Sequence, residues 1–399
     1  MLLRFIALPS VYNTFKVSRS REGLGVKDPD KTKKAFRYWL DRNIRASVMS
    51  VMSWMIPRSC EESVDLQRQN IRKILLVRAL FRMGDSILAT PAILLLRKNF
   101  PSATIDFVGP PIAKKLFVNL PIDNQYEVYQ RFPKVCWSYV MLLRLIRKRN
   151  YDLAMDVSGS SAALGSVIVG LSGARFRVGI KGKWDRWFNV RLVRPLTANK
   201  YANLPQLIAS LGLKSQEMLP TLVLSSAEKV EGHERIRALV AAGTGAIVGI
   251  FVGGRKSRGK RWASANFGEL ATLLRANGAR PIIFVGPEER DVLAYLQSVL
   301  GYRAPVMFEP DIKKFASLVA NCDLFVACDS GPVHLACALR VRTVVLFLQE
   351  NFERWGPPVN LGRIVFRKSG VTVNDALEAC RSELDALHGE SVVVAIVNG

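Results

Sequence analysis

Residues 323–338 read Asp323-Leu-Phe-Val-Ala-Cys-Asp-Ser-Gly-Pro-Val-His-Leu-Ala-Cys-Ala338. The apolar run from Leu324 to Cys328 predicts a buried strand. Asp329 ends it, Ser330-Gly331-Pro332 supplies a turn, and an Ala/Leu-rich helix is expected from about Val333. A strand that passes through a glycine turn into a helix N-terminus forms an anion site. The first N–H groups of the helix lack intrahelical partners, and the helix dipole places partial positive charge beside them. Gly331 would let a ligand approach the backbone closely, and Pro332 suits the first helical turn. The stretch predicts a phosphate-bearing ligand in the C-terminal half.

The same strand–loop–helix order recurs on both sides of it. In the second half, strands are expected at 247–252, 282–285, 324–327 and 343–347, with helices near 264–277, 287–300, 311–321 and 332–339. In the first half, strands are expected at 74–77, 105–108 and 153–156. The helices there are one from about Asp85 to Asn99 and others near 111–119, 135–149 and 160–172. Such alternation implies parallel sheets covered on both faces. The expected fold is α/β, with two Rossmann-like doubly wound domains at 71–224 and 225–399, a joint near 221–244, and an interdomain cleft. Ligands bind at the carboxyl ends of such strands. Residues 1–70 are expected to form a basic N-terminal extension. Within it Phe36, Leu40, Ile44, Val48, Val51 and Met55 recur at helical spacing, beside Lys31, Lys33, Lys34, Arg37, Arg42 and Arg45. A basic amphipathic helix of this kind can lie on an anionic bilayer. Asp28-Pro29-Asp30 reads as a helix-start turn and not as a DxD metal motif.

Charge bounds the partners. The 399-residue chain carries a net charge of +24. Residues 1–70 hold 13 basic and 7 acidic side chains, a net +6; residues 71–220 hold 23 and 8, a net +15; residues 221–399 hold 21 and 18, a net +3. The field over the first two thirds attracts phosphates or an anionic membrane. Nucleic acid is not expected as a partner, because no helix-turn-helix, zinc or RNA-binding signature appears. The six cysteines show no CxxC and no regular framework, which points to a reducing, cytoplasmic setting. Cys322, Cys328 and Cys337 sit at positions expected to be core. Apolar runs are too short for a membrane span, and the first residues lack the features of a signal peptide.

Three further segments carry chemistry. Arg82-Met-Gly84-Asp85 follows the first strand, where Gly84 permits a tight turn. Asp85 reads either as a helix cap or as a general base taking a proton from an acceptor hydroxyl, and spacing leaves both open. Gly253-Gly254 opens a loop with Arg255, Lys256, Arg258, Lys260 and Arg261, suited to a diphosphate held by N–H groups and cations. It lacks the Walker spacing. Glu288 and Glu289 stand just past a strand, where a carboxylate can receive ribose hydroxyls or simply favour a helix start. His334, in the first turn after Gly331, reads as facing phosphate or as packed. His233 and His388 show no partners. No GxSxG elbow and no zinc spacing is present.

Together these segments resemble glycosyltransferase family 9, the ADP-heptose:lipopolysaccharide heptosyltransferases. Gly84-Asp85 with Thr90-Pro91, Leu96 to Pro101 and Ile105 to Val108 are similar to the family's amino-terminal block. Tyr151 to Asp156 and Arg175 to Gly179 are similar to its middle. Lys260-Arg-Trp262 with Phe267, Gly286 to Glu289, Asp329 to His334 with Ala336 and Ala338, and Trp355-Gly-Pro357 are similar to its donor half and tail. The resemblance covers roughly residues 71–366. It departs in a longer 253–260 loop and in Gly253-Gly254, where the family often has hydroxyl residues.

The resemblance implies a GT-B fold and an inverting, metal-independent glycosyl transfer with no cofactor. The donor would be a nucleotide sugar, ADP-heptose, on the C-terminal domain. The acceptor would be an anionic lipid-linked glycan on the N-terminal domain, beside Arg82 and Gly84. Asp85 matches the proposed base, Lys260 a donor-phosphate lysine, and Glu288 or Glu289 the ribose ligand. Asp329, Ser330, Gly331 and His334 match the diphosphate turn, with Gly253 and Gly254 beside it. The expected place of work is the cytoplasmic face of the inner membrane, peripherally bound. Three alternatives remain open: a relative using another nucleotide sugar or acceptor, a GT-B nucleotide-sugar epimerase that turns over donor alone, and a non-catalytic membrane-associated binding protein.

Overall fold

In the computed structural model, which describes residues 64–129, 134–159, 163–194, 199–216, 218–240, 243–254, 259–301 and 303–397, twelve strands pair into two parallel sheets of six. All of them belong to one compact unit, Ser53–Gly399. The first sheet contains β1 (Lys73–Val77), β2 (Thr104–Gly109), β3 (Asn124–Glu127), β4 (Leu153–Asp156), β5 (Phe176–Ile180) and β6 (Val190–Leu192). Its order is β3-β2-β1-β4-β5-β6. The second contains β7 (Ile247–Phe251), β8 (Arg280–Val285), β9 (Val306–Phe308), β10 (Leu324–Cys328), β11 (Arg342–Phe347) and β12 (Gly362–Phe366), in the order β12-β11-β10-β7-β8-β9.

The helices of the first half are α1 (Met83–Ile87), α2 (Thr90–Asn99), α3 (Pro111–Leu116), α4 (Lys134–Arg149), α5 (Ala163–Leu171) and α6 (Asn203–Ala209). Those of the second are α7 (Ser226–Leu239), α8 (Ser264–Ala276), α9 (Leu293–Leu300), α10 (Ile312–Val319), α11 (Gly331–Ala338), α12 (Phe352–Trp355) and α13 (Val373–Val397). The expected doubly wound α/β architecture is therefore present twice. The strand order reverses between β1 and β4 and again between β7 and β10, and a crevice opens at each switch point.

The strands read as continuous apolar runs because both faces are covered. In the second sheet Val248, Ile250, Leu324, Val326, Ile283, Val285, Val344 and Leu346 pack in one apolar cluster with Phe267, Leu270 and Leu296. Their alternate neighbours Ile282, Phe284, Phe325, Ala327, Val345 and Phe347 face the other way. There they join a cluster that continues through Leu222 and Ile236 into Ile74, Leu76, Ile105 and Phe107 of the first sheet. Burying one such Leu or Phe contributes roughly 1.5–3 kcal/mol.

Several details differ from the sequence reading. The helix expected from Asp85 to Asn99 is two helices, because Pro91 lacks an N–H and its ring collides with the carbonyl of Ile87; the chain restarts at Thr90 with proline in the first turn. The stretch 221–244 is not only a joint: α7 starts there on a capping box between Ser225 and Glu228. It buries only Gly232 and Ile236, so it shows no apolar stripe. Strands β3, β5, β6, β9 and β12 were not expected from apolar runs; β3 reads Asn-Gln-Tyr-Glu along the edge of its sheet. The chain just before β1 already belongs to the core: Leu66 is fully buried and its N–H bonds the Leu211 carbonyl. The expected basic helix, Asp28 to Asp30, and the cations Arg255, Lys256 and Arg258 lie outside the described residues.

Candidate functional site

Strand β1 delivers the chain to a cavity of about 530 Å³. Strand β10 of the second sheet delivers it to the same cavity. The first wall carries Arg82, Met83, Gly84 and Asp85; the second carries Lys260, Glu288, Glu289 and Asp329 to Pro332, with His334 and Trp355. Each wall is built as strand, loop and helix, and α1 and α11 meet end to end at the glycines.

The glycines serve that meeting. A Cβ on Gly84 would lie 2.5 Å from His334 Cδ2, and one on Gly331 would lie 2.8 Å from Met83 Cε. Gly331 therefore admits the neighbouring helix, and it also lines the cavity where a ligand is expected to approach. Gly254 plays a similar part within the donor-side loop, where a side chain would run into the Lys260 carbonyl.

On the second wall Asp329 is held twice through its Oδ2. It pairs with Lys260 and accepts a hydrogen bond from Asn351 Nδ2 at 3.0 Å. Ser330 is the N-cap residue of α11, but its side chain makes no capping bond, and its buried Oγ has no partner among the described residues. A helix start with uncapped N–H groups, a free hydroxyl and an ammonium group thus converge beside the cavity, an arrangement that suits phosphate oxygens. Glu289 is buried and receives Arg261 Nη2 at 3.0 Å. Burial raises its carboxyl above the usual range, with Arg261 and the Gly254 N–H opposing. Glu288 is exposed on the same wall. Trp262, two residues after Lys260, is buried, and its indole N–H bonds the Val371 carbonyl at 3.0 Å.

On the first wall Asp85 lies in the first turn of α1, where Arg82 holds the N-cap position, so the cap reading of Asp85 does not hold. Its nearest charged partner is Arg78 Nη2, 3.6 Å from Oδ1. His334 lines the cavity yet is packed: it is 4% exposed, its Nδ1 shares a 2.6 Å hydrogen bond with the Tyr201 hydroxyl, and its ring lies beside Trp355. Burial depresses its imidazole to about 4, against the pull of Asp329 and Asp85, so it is neutral near pH 7.

Arg78, Asn351 and Tyr201 escaped the sequence reading. Only Arg78 left a signal there, as a cation directly after a fully apolar strand. Cys322, Cys328 and Cys337 are buried free thiols, as expected. Among the described residues, no helix is long and apolar enough to cross a membrane.

The family model for glycosyltransferase family 9 (heptosyltransferase) matches residues 140–377. The chain belongs to glycosyltransferase family 9. Lipopolysaccharide heptosyltransferase 3 of Escherichia coli is 23% identical over 288 residues, covering 69% of this chain and 83% of that protein. Among solved structures, the glycosyl transferase family 9 protein from Veillonella parvula DSM 2008 has a TM-score of 0.68 at 18% identity, covering 81% of this chain and 99% of that one. The E. coli ADP-heptose lps heptosyltransferase II has a TM-score of 0.65 at 20% identity, covering 79% and 99%. These likenesses fix the fold as GT-B. As a family 9 member the protein is a glycosyltransferase, and the cavity between its two switch points is the candidate active site.

Proposed function

We propose that this glycosyltransferase moves a heptose from ADP-heptose to an inner-core-like lipopolysaccharide acceptor, with inversion and without a metal. The observation that carries the reading is that Asp85, after a strand of the first sheet, and the Lys260–Asp329–α11 wall of the second line one cavity. The donor reading draws on the related heptosyltransferases, and the division into acceptor residues 71–224 and donor residues 225–399 follows the same logic.

The chemistry follows from that placement. Asp85 takes the proton of the acceptor hydroxyl as its oxygen forms a bond to the anomeric carbon. The bond to the diphosphate breaks on the opposite face, which inverts the configuration. Negative charge builds on the leaving diphosphate, where Lys260, the Ser330 hydroxyl and the first N–H groups of α11 stabilise it. Lys260 exchanges its Asp329 partner, at least in part, for phosphate oxygens. Glu288 or Glu289 receives the ribose hydroxyls. The net +15 over residues 71–220 suits a phosphorylated, lipid-linked acceptor, and we place the work at an anionic membrane surface on the cytoplasmic side.

The test is incubation with ADP-heptose and a truncated core acceptor, with product read by mass and anomeric configuration by NMR. A heptosylated, inverted product formed equally in EDTA is the expected result. Retention would overturn the displacement mechanism. Turnover only with another nucleotide sugar would overturn the donor.

A further inference from the structure

Behind Asp85 lies a group of charges that the proposed chemistry does not use. Arg78 follows β1 and is 4% exposed. Its backbone N–H bonds the Val108 carbonyl at 2.8 Å, and its Nη1 bonds the Val157 carbonyl. Nη2 is thereby directed at Asp85 Oδ1, 3.6 Å away. Nε is buried with no partner among the described residues.

Asp156 is the register partner of Val77 at the end of β4, and it is 3% exposed. Its Oδ1 accepts the Ser158 N–H at 2.9 Å, while Oδ2 is buried without a partner among the described residues. A Cβ on Gly165 would lie 2.7 Å from that Oδ2, so α5 presses directly on the carboxylate. Lys200 completes the group: its Nζ bonds the Gly159 carbonyl at 3.1 Å, and its charge acts on Arg78 and Asp85. Of these side chains only Asp85 lines the cavity.

A buried guanidinium is costly unless carboxylates face it. Asp85 faces it at 3.6 Å, Asp156 acts on it through space, and both charges favour its ionised form. The Val157 carbonyl holds Nη1 and the Val108 carbonyl holds the Arg78 backbone N–H, so the freedom of the side chain to follow Asp85 is small. An arginine squarely paired with a catalytic base would compete for the oxygen that must take the proton. At 3.6 Å, with one nitrogen committed to Val157, Arg78 can orient the carboxylate and leave it reactive.

We propose that Arg78, anchored by the Val157 carbonyl and balanced by Asp156, is a positioning residue that holds the Asp85 carboxylate toward the cavity. The inference rests on the reading of Asp85 as the base.

The test compares Arg78→Met, Arg78→Lys, Asp85→Asn and the double variant Arg78→Met/Asp85→Asn, assayed with ADP-heptose and the truncated core acceptor. Arg78→Met should lower kcat by roughly 10- to 100-fold, as expected for a misplaced reacting group, with the donor Kd unchanged. Arg78→Lys should restore most of the loss. The double variant should be no slower than Asp85→Asn alone. The fall in kcat at an unchanged donor Kd, and its rescue by the cation in Arg78→Lys, separate a positioning role from a merely structural one.

If Arg78→Met leaves an uncompensated Asp156 and unfolds, Arg78→Met/Asp156→Asn removes both charges and carries the same comparison. Wild-type kcat in Arg78→Met, or in Arg78→Met/Asp156→Asn where the single variant unfolds, would overturn the proposal while the base reading stands. An active Asp85→Asn enzyme would instead overturn the base reading.

Discussion

The two walls of the cavity are built from the same parts and do opposite work. Each brings a strand to a turn, places an aspartate near a helix start, and sets a cation beside it. Asp85 touches its cation at 3.6 Å along one edge. Asp329 is bonded to both Lys260 and Asn351. A carboxylate with spare lone pairs can take a proton. A carboxylate whose oxygen is engaged twice serves to hold a lysine in place. The difference lies in what surrounds each aspartate, not in the local sequence that delivers it.

The sharpest way to break this comparison is to remove each group in turn. Asp85→Asn should reduce kcat by about 10²- to 10⁴-fold, the usual contribution of a positioned base. Donor affinity by calorimetry should stay within a few-fold, and near-normal kcat would make the two walls equivalent. Lys260→Ala should cost roughly 10²- to 10³-fold in kcat, as for the loss of a preorganised charge at the leaving group. Unlike Asp85→Asn, it should also weaken nucleoside diphosphate binding.

The seam between the walls gives a pH test. Burial lowers the His334 imidazole to about 4, from an unfolded value near 6.5. Its contribution to stability is full above the unfolded value and is lost as pH falls from there toward about 4. That loss amounts to about 3 kcal/mol. Asp156 runs the other way: burial raises it to about 6, so folding favours its protonated form and loses that contribution as pH rises through about 6. Urea denaturation across pH 4–7 should therefore show a shallower acid slope in His334→Gln and a steeper one in Asp156→Asn. Gly84→Ala should push the walls apart, since the added Cβ meets a histidine already fixed by Tyr201; about 1–3 kcal/mol of destabilisation is expected in the same assay. The smallest effect separates the two glutamates. The one that receives the ribose should lose about 1 kcal/mol of donor affinity on conversion to Gln, and the other little.

Much of the fold is legible in the sequence because strands buried on both faces leave unbroken apolar runs. Leu75, Val326 and Val345 mark their strands in this way. The short polar edge strand at Asn124–Glu127 leaves no such trace, and neither does α7, which buries two residues. Lys260, Asp329 and Asp85 stand out by their places after strands. Asn351 and Tyr201 do not, because their partners lie 22 and 133 residues away.

The sequence by itself determined the alternation of strand and helix, the excess of positive charge in the first two thirds, and the turns that end in Asp85 and Asp329. These depend on local pattern and composition. The tertiary structure alone decided that Asp85 meets an arginine at 3.6 Å while Asp329 is bonded to a lysine and an asparagine, that His334 is enclosed and neutral, and that Gly84 and Gly331 make room for each other's helices. Those outcomes depend on distance and burial between segments far apart in the chain, and desolvation and Coulomb interaction act through space, where sequence order carries no information.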